Sequence, residues 1–442
     1  MIRMFSRTGA GAAALAGIGV LITAGCSTDA SSTESSSDEG PVTLNFAWWG
    51  GDDRAALQQE VIDAFEAENP GISISAEYSN YDDFWTKLNT QAAANDLPDI
   101  FTVIDPFMYD YIDNGRLLDL TTVSDAVDLE TIPENLFSMV TKDGAVYGTP
   151  SGVASFGVVA DPQIFNEAGV DLPDGDTWTW DDVVTTAGAV TAATPEVAGF
   201  VLPTDSQVAS IWVRQQGEDW GPVDGSAQGL GFTVESMADY WSWVEDLVAS
   251  GGTQAPDAAI EAASAGGGIE QSPLALHTAA MGVISANQLG ALEEAAGREF
   301  VFLNWPGESQ APELGAWAKP GTFYAVDATT EHPEEAALFV DFITNSVDAA
   351  EVMGFERGVQ PNPEVVEALQ DSLTPADQRF ADYITSLTAM DLQPFHLQDT
   401  GAGSVQVSTF DEVNQEVLFG NQTPAEAAQS LYDQMEAALS GS

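Results

Sequence analysis

The residues able to do chemistry are few in kind. His277, His332 and His396 are the entire imidazole supply, and none has a second His or a Cys at metal-ligand spacing, so no metal site is expected. The sequence holds no G-x-x-x-x-G-K-[ST] loop to cradle phosphates and no G-x-S-x-G elbow to raise a nucleophilic serine. Calcium loops of the Asp-x-Asp-x-Asp kind are not found in convincing form. Paired carboxylates for glycoside hydrolysis can be picked anywhere among 69 Asp and Glu, so a pair carries almost no information. These counts predict no cofactor and no catalytic residue. Chemistry of another kind sits in the rings: 11 Trp, 9 Tyr and 21 Phe. Several Trp fall at predicted strand ends and loops, with Trp49, Trp220 and Trp305 directly beside Gly, Asp, Asn or Pro. Faces of Trp and Tyr pack on the C–H patches of a pyranose while Asp, Asn, Gln and Arg hydrogen-bond its hydroxyls. A neutral polyol can be held that way without charge complementarity.

Such rings need a scaffold, and hydrophobic periodicity supplies one. Val42 to Trp48 alternates as a strand and stops at Trp49-Gly50-Gly51-Asp52-Asp53. Leu57, Val61 and Phe65 then step every four residues along a helix that Asp52 or Asp53 could cap. Ile72 to Tyr78 reads as a second strand, about Asp82 to Ala94 as a helix carrying Phe84, Trp85 and Leu88, and Pro98 to Ile104 as a third strand. Strand, helix, strand, helix, strand is the signature of a parallel α/β sheet. Ligands of open α/β sheets bind beyond the carboxyl ends of the strands, which places Trp49 to Asp52, Ser79 to Tyr81 and Asp105 on one rim. The pattern restarts near residue 150, with a strand-like run from Ser155 to Ala160 and a capped helix after Thr179. Helical stripes follow at Ser236 to Val248 and at Ala336 to Ile343, and Gly266 to Gly268 reads as a loop.

Eleven Lys and Arg against 69 acidic residues leave a net charge of −58. Only 18% of residues are charged, so a large core remains possible and disorder along the whole chain is excluded. A field this negative repels nucleic acid and anionic lipid surfaces. The N-terminus departs from this composition. Arg3 and Arg7 precede an apolar Gly/Ala-rich stretch, the layout of an export signal. That stretch ends Leu21-Ile22-Thr23-Ala24-Gly25-Cys26, and Cys26 is the sole cysteine. The run resembles a bacterial lipobox, with Thr23 where a larger aliphatic residue is usual; it implies removal of residues 1–25, lipidation of Cys26 and anchoring by acyl chains alone. Residues 26–40 lack the apolar surface to fold and read as a flexible tether.

Taken in order, the segments 42–100, 142–170 (KDGAVYGTPSGVASFGVVADPQIFNEAGV), 177–184 (TWTWDDVV), 279–289 (AAMGVISANQL), 331–344 (EHPEEAALFVDFIT) and 354–369 (GFERGVQPNPEVVEAL) resemble the extracellular solute-binding proteins of bacterial ABC importers, in the carbohydrate-binding group that includes maltose-binding protein. The resemblance implies a two-lobe periplasmic-binding-protein-like α/β fold of type II topology, with ligand in the cleft and hinge crossings below it. Projected onto this chain, the N-terminal lobe takes 41–149 and 321–348, and the C-terminal lobe 150–320 and 349–442. It also implies a monomer that captures a sugar or short oligosaccharide, closes, and docks on permease subunits, with no enzymatic activity. From the first lobe, Trp49, Asp52, Asp53, Tyr81, Trp85 and Asp105 are expected to face the cleft; from the second, Asn287, with Gln288, Trp178 and Trp212. Trp317, Tyr324 and Arg357 lie near crossings. Where many relatives show Gly-x-Trp, this chain has Ser285-Ala286-Asn287, so a stacking ring there is missing or supplied elsewhere. Two other classes stay open on the residues alone: an extracellular carbohydrate-active enzyme, and a receptor for a cationic solute such as a polyamine.

Overall fold

The computed structural model describes residues 41–221, 229–264, 268–393 and 402–440. Cys26, the tether, the first two residues of the Gly266–Gly268 run and His396 lie outside them. Strand β1 (Val42–Trp49) buries alternate residues up to Phe46 and pairs in parallel with β2 (Ile72–Ser79) along its whole length, Val42 opposite Ile72 and Trp49 opposite Ser79. β3 (Ile100–Val103) is parallel on the other side, Phe46 opposite Ile100. Helices α1 (Asp52–Glu68), α2 (Tyr81–Ala94) and α3 (Asp105–Asp113) connect and follow them.

The sheet is mixed rather than wholly parallel. Residues Phe323–Val326 lie antiparallel against β3, and Thr149–Pro150 pair on the outside of that strand, giving the order β2, β1, β3, 323–326, 149–150. Local periodicity cannot announce a partner more than 200 residues away, so this return was not visible in the pattern of elements. Phe339 and Phe342 from the later helix Pro333–Asn345 close the core, meeting Phe65 of α1 edge-on at 5.0 and 5.5 Å.

A second sheet runs in the order 301–303, 156–160, 279–285, 198–200. Ala279–Ser285 is antiparallel to Phe156–Ala160 and parallel to Ala198–Phe200. Helices α4 (Pro162–Ala168), α5 (Trp180–Ala193), α6 (Gln207–Gln215), α7 (Val234–Ala249), α8 (Pro256–Ser264) and α9 (Leu289–Ala296) surround it. Thr179 closes a capping box with Asp182 at the start of α5, as the sequence led one to expect. The C-terminal helices Ala402–Leu418 and Pro424–Ser440 pack on α7, where Trp241 stacks on Phe410 at 5.7 Å and donates from Nε1 to Asn414 Oδ1 at 2.9 Å. Among the described residues no helix is long and apolar enough to cross a membrane.

Three segments connecting the sheets are hydrogen-bonded side by side. Val153 and Val359 exchange backbone bonds of 2.7 and 2.9 Å, and Val153–Ala154 pairs antiparallel with Lys319–Pro320. The approach is so close that a Cβ on Gly152 would meet Arg357 O at 2.5 Å, and one on Gly358 would meet Val153 O at 2.5 Å. Gly358 also sits at φ +110°, where a side chain is strained. Gly358→Ala is therefore expected to lower unfolding free energy by about 1–3 kcal/mol. Equilibrium urea unfolding measures this, and an unchanged midpoint would show that the three segments spread without cost.

Candidate ligand-binding site

The parallel register of β1 and β2 sets the first half of the site. Trp49 ends β1 opposite Ser79, so the chain entering α2 brings Tyr81 and, one turn later, Trp85 to the same rim. Asn80 caps α2 by accepting from Asp83 N at 3.0 Å, which fixes where the helix starts. The Trp49 ring lies 5.8 Å from Tyr81, 5.8 Å from Phe84 and 6.1 Å from Trp85. Tyr81 keeps 45% of its surface exposed whereas Trp85 keeps 6% and packs at 4.3 Å on Phe107. Tyr81 and the half-buried Trp49 thus present ring surface, while Trp85 supports them from the core.

Charge converges on the same rings. Arg357 places its guanidinium carbon 5.5 Å from the Trp49 centroid. Arg54 donates from Nη1 to Trp49 O at 2.9 Å and from Nε to Glu356 Oε1 at 2.6 Å, tying α1 to the segment that carries Arg357. Tyr324, 2% exposed, packs 6.1 Å from Phe46, and burial raises its phenol pKa, opposed in part by the Arg357 charge. It belongs to the core beneath the rings. Asp52 is exposed and accepts from Tyr78 Oη at 3.2 Å. Neither Asp52 nor Asp53 caps α1: the N-cap is Gly51, which offers no side chain. The side chains of Asp53 and Asp105 lie outside what is described; Asp105 opens α3 at the carboxyl end of β3.

The second sheet contributes a concavity of about 450 Å³ at the carboxyl ends of its two parallel strands. Thr204, Asp205, Gln254, Gln271 and Gln288 are among the polar residues that line it, over an apolar floor that includes Leu202, Val283 and Ala259. Asn287 is exposed next door and accepts from Ser285 Oγ at 2.6 Å. Asp205, Gln254 and Gln271 were not anticipated. Asp205 follows the strand Ala198–Phe200, so the strand-end rule that found Trp49 applies to it equally. Three residues are too short a run to declare that strand beforehand.

Trp178 is placed differently from expectation. Trp178 is 4% exposed and donates to Asn304 O at 2.8 Å, sealed in the core of the second sheet. Trp212 joins Trp180, Trp243 and Tyr240 at 5.3, 6.0 and 6.1 Å. Trp178 is thus buried, because apolar area drives an indole inward unless a rim holds it out, whereas Trp212 stays half-buried among these rings. Trp317, half-buried, lies on the central crossing against Phe156 at 5.7 Å, with Lys319 Nζ 5.8 Å from its ring. It lines a second cavity of about 100 Å³ with Asn135, Ser138 and Gln393.

Two sheets whose strand ends carry ring surface and polar groups are thus joined by three crossings. Residues 48–350 match the family model for bacterial extracellular solute-binding proteins. The chain belongs to that family. A binding protein of Brucella abortus strain 2308 is 27% identical to this solute-binding protein over 168 residues, which are 38% of this chain and 40% of that one, so the match spans under half of the Brucella protein. Among solved structures, an extracellular solute-binding protein family 1 member from Alicyclobacillus acidocaldarius superposes with a TM-score of 0.80 at 24% identity, covering 91% of this chain and all of its own. A periplasmic oligogalacturonide binding protein from Yersinia enterocolitica, solved with saturated digalacturonic acid, gives 0.69 at 20% identity over 90% and 99%. At these identities the likeness is one of fold. It is the two-lobe α/β fold expected from the sequence, and the family is one of binding proteins that work outside the cytoplasm.

Proposed function

We propose that this protein is the substrate-binding receptor of an ABC importer, capturing a sugar or short oligosaccharide by lobe closure and delivering it to membrane permease subunits. The observation that carries this reading is the ring group at the end of β1, Trp49 and Tyr81 backed by Trp85, with Arg357 on the crossing beside it. Rings of this kind offer flat apolar faces, and the lining of the second-sheet cavity offers hydroxyl partners. A Yersinia protein of the same fold binding digalacturonic acid supports the ligand class.

In this reading the first lobe is 41–149 with 321–348 and the second is 150–320 with 349–442, the three paired segments acting as the hinge. Ligand favours the closed form because only there do both lobes touch it. Lipid on Cys26, after removal of residues 1–25, holds the monomer at the membrane, and residues 26–40 give it reach. No chemical step is assigned to any residue.

A thermal-shift panel of mono- and oligosaccharides tests the reading. Ligand at 100 times its dissociation constant is expected to add about 2.7 kcal/mol of stability. The absence of any shift across the panel overturns it, and so does release of a cleaved product from a sugar that binds.

A further inference from the structure

Three charged side chains set the electrostatics beside Trp49. Arg54 and Arg357 bring two positive charges and Glu356 one negative. Glu356 gives Oε1 to Arg54 at 2.6 Å, while its Oε2 stands 4.0 Å from Arg357 Nε, beyond hydrogen-bond reach. Tyr324, the other titratable group beside Arg357, is a neutral phenol in its buried setting. The group therefore carries one net positive charge inside a chain whose total is −58.

Arg357 is the exceptional member. Its side chain is 4% exposed, and Nε and Nη2 have no hydrogen-bond partner among the described residues. These two nitrogens share one edge of the guanidinium, so their N–H bonds point the same way. That edge matches the two oxygens of a carboxylate, and the match is why Arg rather than Lys serves bidentate recognition. Leaving a buried cation without a hydrogen-bonded counter-charge is costly.

We propose that the saccharide bound here is acidic, a sugar of the uronic-acid type whose carboxylate is taken by the Nε/Nη2 edge of Arg357 while its ring packs against Trp49 and Tyr81. The inference rests on the receptor reading above and narrows its ligand class. The edge is buried, so a carboxylate reaches it only when the Arg357 side chain swings out from its place beside the Trp49 ring. The overall negative charge does not oppose this, because exposed charges are screened over about 8 Å at physiological salt. Charge within the site decides.

Calorimetric titration of the full-length chain with galacturonate, glucuronate and their short oligomers, against neutral aldoses of the same ring and length, tests the proposal. The uronates are expected to bind at least about tenfold tighter. Arg357→Lys should lose most of that preference and Arg357→Gln all of it. If Arg357→Gln does not fold, as judged by its thermal transition, the wild-type preference and the Lys variant still decide. Equal or tighter binding of neutral sugars overturns the acidic assignment and leaves the sugar receptor standing. Tighter binding of a hexose phosphate than of the uronates overturns the carboxylate. Failure of every saccharide to bind removes both readings.

Discussion

Trp49→Ala will raise the dissociation constant for the bound saccharide by about thirtyfold or more. Among the described residues Trp49 is the one ring that touches Tyr81, Phe84 and Trp85 and also carries Arg357. Its removal deletes the face, loosens the exposed Tyr81 and withdraws the cation–π support from the guanidinium. Central aromatic anchors of a binding surface cost about 2 kcal/mol or more on truncation, which is the thirtyfold stated. Trp178→Phe is the matched control. It removes a single hydrogen bond, from Nε1 to Asn304 O, in the second-sheet core. Stability should fall by about 1 kcal/mol, with affinity within about twofold of the wild type. Calorimetry and denaturant unfolding on both variants separate the two effects. Equal losses of affinity would mean that the rim of β1 is not the binding surface.

The contrast between these two tryptophans also marks how far the sequence could be read. Trp49 was legible because a strand stops there at Gly50-Gly51, and a strand's carboxyl end is where such sheets bind. Trp178 follows the same kind of loop residues, yet the fold closes over it. Position relative to a strand end is encoded locally, whereas burial depends on what returns from elsewhere to cover a side chain. Elements β1, α1, β2, α2 and β3 were recovered with ends within two residues, and the capped start of α5 was read from Thr179 to Asp182. Asp205 and Gln254 escaped because their cavity is assembled from a three-residue strand, a loop and α8. Arg357 was singled out through family likeness, and only the coordinates show that two of its nitrogens share one buried edge without a hydrogen-bond partner among the described residues.

Arg214→Met should be the most damaging single change to stability, lowering unfolding free energy by about 3–5 kcal/mol. Arg214 is 1% exposed in the last turn of α6. It donates to Asp219 Oδ2 at 2.7 Å, Gly315 O at 3.1 Å and Gln393 O at 3.0 Å. Gly315 leads into the central crossing, so this one cation ties α6 to the segment carrying Trp317. Removing it leaves Asp219, 8% exposed, as a buried carboxylate held among the described residues by Trp220 N at 2.8 Å. An isolated buried charge costs far more than the pair did. The double variant Arg214→Met/Asp219→Leu should recover part of the loss, because the orphaned carboxylate goes with it. Urea midpoints give the values, and a deficit under about 1 kcal/mol for Arg214→Met would show that water reaches the carboxylate.

The strand Phe323–Val326, wedged between β3 and Thr149–Pro150, has a consequence for biosynthesis. A chain leaving the ribosome or a translocation pore N-terminus first can align β1 to β3 early, but their sheet stays open on one side until residue 326 has emerged. Among the described residues Thr149–Pro150 has no other strand partner in that sheet. The pairing spans a long stretch of chain, and contacts of that range are slow to form. The topology itself thus delays completion of the first sheet until the later part of the chain has been made.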